Sequence, residues 1–123
     1  MELGTFSVSL NVSNLADSKT FYENLGFASI GGDASQGWLI MRNGGATIGL
    51  FHGMFDRNLL TFNPGWSPEG ETLSSFADVR EIQRELIYKG ITLEKKVAES
   101  ESGPGDIMVI DPDGNPILID QHV

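Results

Sequence analysis

The stretch "SLNVSNLADSKTFYENLGF", residues 9 to 27, changes its hydrophobic period part-way along. Its first residues continue "TFSVSLNV" from Thr5, in which Val8, Leu10 and Val12 alternate with Ser7, Ser9 and Asn11, the two-residue period of a half-buried strand. Beyond Val12 the period lengthens. Asn14 is a good helix N-cap, Leu15, Phe21, Tyr22 and Leu25 fall near helical spacing, and Gly26 suits the residue after a helix end. The stretch therefore predicts one strand followed directly by one helix.

Working outward, "FASIGG", "GWLIMRN" and "ATIGLFH" are short apolar runs broken by Gly and Asn, which predict three further strands. The pattern then returns. "TLSSF" (72 to 76) predicts a short strand, and "DVREIQRELIYKGI" (78 to 91) a helix opened by Asp78 and Glu81 in an Asp form of the capping box and closed by Gly90. An offset of 64 carries Leu15 to Val79, Tyr22 to Leu86 and Gly26 to Gly90. In the later strands the offset is 70, from Gly44 to Gly114 and Ile48 to Leu118, the difference being absorbed by the loop "AESESGPGD". This self-similarity points to an internal duplication. The expected organisation is one domain over 1 to 123: a βαβββ module at about 5 to 52, a linker at about 53 to 70, and a second βαβββ module at about 71 to 123.

The linker carries Phe55, Phe62 and Trp66. Either its aromatics pack onto a sheet, with "LLTF" as a short edge strand, or it forms a lid or dimer contact.

Composition narrows the function. A chain of 123 residues suits one ordinary core. Eight Lys and Arg against 17 Asp and Glu give a net charge of −9, which repels nucleic acid and favours cationic ligands. The absence of cysteine removes disulfides, thiolate nucleophiles and thiolate metal ligands, and fits a reducing compartment. "MELGTFSVSLNVSNL" has neither a basic segment nor a long apolar one, so the expectation is a cytoplasmic protein without a membrane span. No P-loop, Ser nucleophile elbow or HExxH occurs, and "DPDG" reads as a turn rather than a calcium loop.

The opening "SLNVSNLADSKTFYENLGF" and the close "GPGDIMVIDPDGNPILI" together resemble the vicinal oxygen chelate superfamily, which includes glyoxalase I, extradiol dioxygenases, and fosfomycin- and bleomycin-resistance proteins. The resemblance covers nearly the whole chain. It implies an α+β fold in which two βαβββ modules form an open, cup-shaped mixed β-barrel, the glyoxalase/bleomycin resistance/dihydroxybiphenyl dioxygenase fold, with two chains sharing sites in a homodimer. Metal enzymes of the superfamily place ligands at four positions, on the first and last strand of each module. Alignment on the strand-to-helix junctions and hairpins puts Ser7, Gly49, Glu71 and Leu118 there. Of these only Glu71 is a good donor, so the expected metal and cofactor content is none.

What remains for the concave face is Ser7, Ser9, Asn11, Trp38, Thr47, Gly49, Phe51, Leu118 and Asp120. Small polar groups with aromatics suit a ligand held by hydrogen bonds and stacking, and the ligand-binding candidates are Ser7, Ser9, Asn11, Trp38, Thr47, Phe51 and Asp120. The competing possibility is a face filled by its own side chains. If Ser7, Ser9 and Asn11 are buried, the expectation is that water, a ligand or a partner chain satisfies them. Glu71 and Asp120 are the carboxylates available for acid-base catalysis. His52 is expected at the surface, and His122 at a frayed, solvent-exposed end. Three functions stay open: a metal-independent protein resembling bleomycin-resistance proteins that binds a cationic or aromatic small molecule; a glyoxalase-like lyase, isomerase or dioxygenase with unusual ligands; and a stress or regulatory protein acting through the linker.

Overall fold

The computed structural model describes residues 1 to 123. Eight strands and two helices follow in the order β1 (Thr5–Asn11), α1 (Leu15–Asn24), β2 (Ala28–Asp33), β3 (Trp38–Asn43), β4 (Ala46–Phe51), β5 (Leu59–Asn63), α2 (Val79–Tyr88), β6 (Leu93–Lys95), β7 (Gly105–Ile110) and β8 (Pro116–Gln121). The α+β class is as expected. The chain divides into two compact units, one of residues Ser7–Leu59 and one of Met1–Phe6 with Leu60–Val123.

In the first unit the strand order is β2-β3-β4-β1, with β1 parallel to β4 and β3 antiparallel to both its neighbours. Parallel neighbours require a crossover, here supplied by α1, β2 and β3. The Asn14 side chain accepts from the Asp17 amide at 3.0 Å and so caps α1. Leu39, Met41 and Leu50 form the buried core, and Leu10, Val12, Leu15, Tyr22, Phe27 and Ile48 pack against it. Leu10 and Val12 of the predicted β1 face thus meet Leu15 and Tyr22 of α1, whereas Phe21 and Leu25, expected on the same stripe, are exposed.

The second unit repeats the arrangement, ordered β5-β8-β7-β6 with β5 parallel to β8. Its α2 is the more deeply seated helix, burying Val79, Ile82 and Leu86 with Leu93, Ile107 and Ile119. Buried Arg80 donates to the carbonyls of Gly103 and Pro104 and to Asp78, while Gln83 bonds both ways with the Val97 backbone. These bonds hold the "AESESGPGD" loop against the helix.

One sequence expectation is overturned. Residues 72 to 76 are not a strand; only Thr72 makes an isolated bridge, to Trp66. The opening strand of the second module is β5, inside the expected linker, paired with β8 through Leu60–Ile117, Thr61–Leu118 and Phe62–Ile119. Leu59 and Thr61 are buried, whereas residues 71 to 76 are exposed, so burial selected the more apolar run. The duplication survives in shifted form: the row Asn11, Phe51 and Trp38 in one unit corresponds to Asn63, Asp120 and Asp106 in the other.

Candidate functional site

In the first unit the sheet face turned away from α1 gathers most of the candidate residues. Since Leu10, Ile48 and Leu50 point to the helix, alternation puts Ser7, Ser9, Asn11, Thr47, Gly49 and Phe51 on the other side, with Trp38 and Ile40 of β3. Register orders them in cross-strand rows: Asn11, Phe51 and Trp38, then Ser9, Gly49 and Ile40. The Trp38 and Phe51 rings stack at 6.1 Å with 5° between planes, and Phe51 meets Phe55 at 5.3 Å. Phe51 thus touches a ring on either side, stacked on Trp38 and tilted against Phe55. Phe55 and Ile40 were absent from the sequence candidates; the alternation through Trp38 identifies Ile40, but Phe55 lies outside any strand.

Ser7 and Ser9 are buried and Asn11 is exposed to solvent. No buried side-chain nitrogen or oxygen lacks a hydrogen-bond partner. Those side-chain atoms that are fully buried are therefore satisfied within the chain, and Asn11 is exposed.

The places that the resemblance assigns to metal ligands do not fit a metal, and Glu71 is not on the second module's opening strand, which is β5. A Cβ at Gly49 would overlap the Phe51 ring, so this place is filled by an aromatic edge rather than open to a donor. Leu118 sits between Thr61 and Met108 on its own sheet and offers no donor. Glu71 lies on no strand; it is exposed in the turn where its amide bonds the Ser67 hydroxyl at 3.2 Å and its carbonyl accepts from the Ser67 amide at 2.9 Å. Ser7 contributes only a neutral hydroxyl. Nor does any group of three or more His, Asp and Glu side chains gather elsewhere.

In the second unit Asp120 stands directly across from Asp106, a pairing of like charges that needs compensation. Lys95 binds Asp106 at 2.7 Å and His122 Nε2 binds Asp120 at 3.0 Å, so each carboxylate has a basic partner on its outer side. The hydrogen bond from His122 to Asp120 holds the imidazole pKa above its ordinary value, against the opposing pull of burial. The indole of Trp66 stacks on the imidazole at 4.5 Å and 6°. His122 is exposed, as expected, but paired and stacked rather than frayed. Asn63 fixes the strand beneath by donating to the Asp120 carbonyl at 2.8 Å. Because Asp120 follows Ile119, whose side chain belongs to the core, it faces away from α2. Sequence reading missed Trp66, Asp106 and Lys95 as its surroundings, since none is near it in the chain.

His52 is exposed, as expected, with Nδ1 at 3.1 Å from the Val12 carbonyl. It lines an open groove of about 390 Å³ with Ser13, Asn14, Leu15, Ala34, Ser35 and Gly37.

No family model and no curated protein matches the chain. Among solved structures it is similar to a Legionella pneumophila protein described as an NAD-dependent benzaldehyde dehydrogenase, with a TM-score of 0.70, 19% identity, and 97% of this chain and 100% of that one covered. It is similar also to a glyoxalase/bleomycin resistance protein/dioxygenase superfamily member from Vibrio splendidus 12B01, with a TM-score of 0.64, 14% identity, and coverage of 95% and 97%. At such identities the likeness concerns the fold alone. The chain has the fold of the glyoxalase/bleomycin resistance protein/dioxygenase superfamily. No helix is long and apolar enough to cross a membrane.

Proposed function

We propose that the chain is a small-molecule-binding protein that works without a metal, takes a planar aromatic or cationic ligand, and functions as a homodimer in the cytoplasm. The ligand lies on the first unit's sheet face turned away from α1, against Asn11, Trp38, Thr47 and Phe51, while Ser7 and Ser9, buried on the same face, support it from beneath. One observation carries this reading: at the position where metal enzymes of the fold place a donor, Gly49 is covered by Phe51, whose ring continues into Trp38 and Phe55. A coordination place has become part of an aromatic wall. Such a wall binds flat rings by stacking, and a cation over an indole face gains about 0.5–2 kcal/mol. The net charge of −9 draws cations toward the surface. The exposed amide of Asn11, in the same row as both rings, orients polar substituents. Asp120 is proposed as a separate ligand contact on the second unit's own sheet face and is tested by its own variant.

Screening tag-free protein by native mass spectrometry against planar aromatic amines, with the metal content measured in parallel, tests the proposal. The expected outcome is one retained aromatic class and no bound transition metal. The alternative, a metal-dependent lyase, isomerase or dioxygenase using Glu71, Asp120 or a histidine, requires stoichiometric Ni, Zn, Fe or Mn whose removal abolishes activity. That result overturns the binding-protein reading.

A further inference from the structure

Residues 64 to 76 leave the end of β5 and return toward α2 without forming a helix or strand of their own. Internal contacts shape them: the Leu73 amide bonds the Gly65 carbonyl at 2.8 Å, the Gly70 amide bonds the Ser67 carbonyl at 2.9 Å, Ser67 pairs with Glu71, and Trp66 bridges Thr72. The last residues of the chain hold this excursion from beneath. Trp66 lies flat on His122, and a Cβ at Gly65 would come within 2.6 Å of Val123 and 3.1 Å of the Phe76 ring. Gly65 also has φ +92°, so its conformation and its crowding both require glycine. Beside these contacts Gln121 is immobilised, its amide nitrogen donating to Asp78, the Gly103 carbonyl and the Val123 carbonyl. Pro64 and Gly65 are buried at the foot of the excursion, which is fixed there. Beyond them, Trp66 to Leu73 rest on the chain's last residues through the stack of Trp66 on His122.

We propose that residues 66 to 73 form a pH-sensitive flap, latched by the stack of Trp66 on His122 and released as His122 loses its proton. The titrating group is an imidazole about half exposed to solvent, so protons reach it freely. The groups facing it are Asp120 on β8, Asp106 on β7, with Lys95 of β6 bound to Asp106, and the neutral indole of Trp66. Glu69 and Glu71, the excursion's own charged residues, are exposed. Both nearby carboxylates favour the imidazolium, and an imidazolium binds an indole face more strongly than a neutral ring does.

The sign follows from linkage. With the folded imidazole pKa raised above 6.5, the latch is fully made below that value and weakens as pH rises through the raised one. Opening frees the His122 ring face beside Asp120, so binding at Asp120 becomes pH-dependent if Asp120 contacts the ligand. The flap itself does not depend on that reading, because it is measured in unliganded protein.

Hydrogen exchange of the 66 to 73 amides, normalised to intrinsic rates, is followed between about pH 5.5 and about pH 8.5, across the imidazole range. The expected result is a loss of protection with rising pH in the wild type and none in His122→Gln, while amides of β3 and β4 stay constant in both. Asp120→Asn, which keeps the imidazole but removes its nearest carboxylate, is expected to move the midpoint down. Protection that does not change with pH in the wild type, or that falls identically in His122→Gln, overturns the proposal. Should His122→Gln not fold, the Asp120→Asn midpoint decides alone: an unmoved midpoint refutes the latch.

Discussion

The ring of Phe51 lies over the α-carbon of Gly49, two residues back on the same strand, in the space a side chain at position 49 would need. Same-face residues two apart on a strand are neighbours, so the larger side chain leans over the smaller. The consequence is mutual. Gly49 is glycine because the ring is there, and the ring reaches Trp38 because Gly49 leaves it room.

Gly49→Ala should destabilise the chain by about 1–2 kcal/mol, the overpacking penalty outweighing the backbone entropy that alanine saves. The double variant Gly49→Ala with Phe51→Leu should recover most of that loss. Urea unfolding of the four members of the cycle measures the coupling. Additive effects would show that the ring does not depend on the glycine.

Trp38→Ala should weaken binding of any aromatic ligand identified by about tenfold, the effect of losing one stacking surface, while leaving secondary structure intact. Calorimetric titration reads it. Asp120→Asn, in the same assay, should weaken a cationic ligand more than a neutral analogue of equal shape if Asp120 contacts the ligand.

Gln121 is 1% exposed; its oxygen accepts from the Val79 amide at 2.7 Å and its nitrogen reaches the Asp78 carboxylate at 3.0 Å. It thereby completes the N-terminal hydrogen bonding of α2 from another strand. Gln121→Ala should cost about 2–4 kcal/mol, combining a cavity with unsatisfied buried groups, whereas Gln121→Glu should be tolerated better at acid pH, where the carboxyl can still donate. Thermal melts at two pH values separate them.

Asp78 should contribute an acid-sensitive part of the stability. Burial raises its carboxyl pKa, but hydrogen bonds from the Arg80 amide and Gln121, with the Arg80 guanidinium, outweigh that and hold it below the usual carboxylate range. A lowered folded pKa means stability present above the unfolded value of 3.8 and lost as pH falls through the lowered one. Asp78→Ala should remove that acid dependence and, through the lost cap, about 1–2 kcal/mol at neutral pH. Urea midpoints over the acid range, wild type against variant, check both parts.

How much of this was legible in the residue string varies by element. Both helices, their caps at Asn14 and Asp78, and the strand face of Ser7, Ser9 and Asn11 follow from local period and capping chemistry, which neighbours in sequence suffice to specify. The duplication too was visible, although its second opening strand was misplaced. "TLSSF" and "LLTFN" are comparable as strand formers, and only pairing with β8 and burial of Leu59 and Thr61 decide between them. Local propensity does not contain that information.

The sites divide in the same way. That positions 49 and 118 bear no metal donor is plain from Gly and Leu as residue types, and needs no coordinates. That Phe51 fills the gap, and that His122 at the chain's end is clasped between Asp120 and a tryptophan 56 positions earlier, was decided by tertiary structure alone (122 − 66). Side-chain stacking and carboxylate pairing act over a few ångströms in space, and the chain brings such groups together only after its strands have chosen their partners.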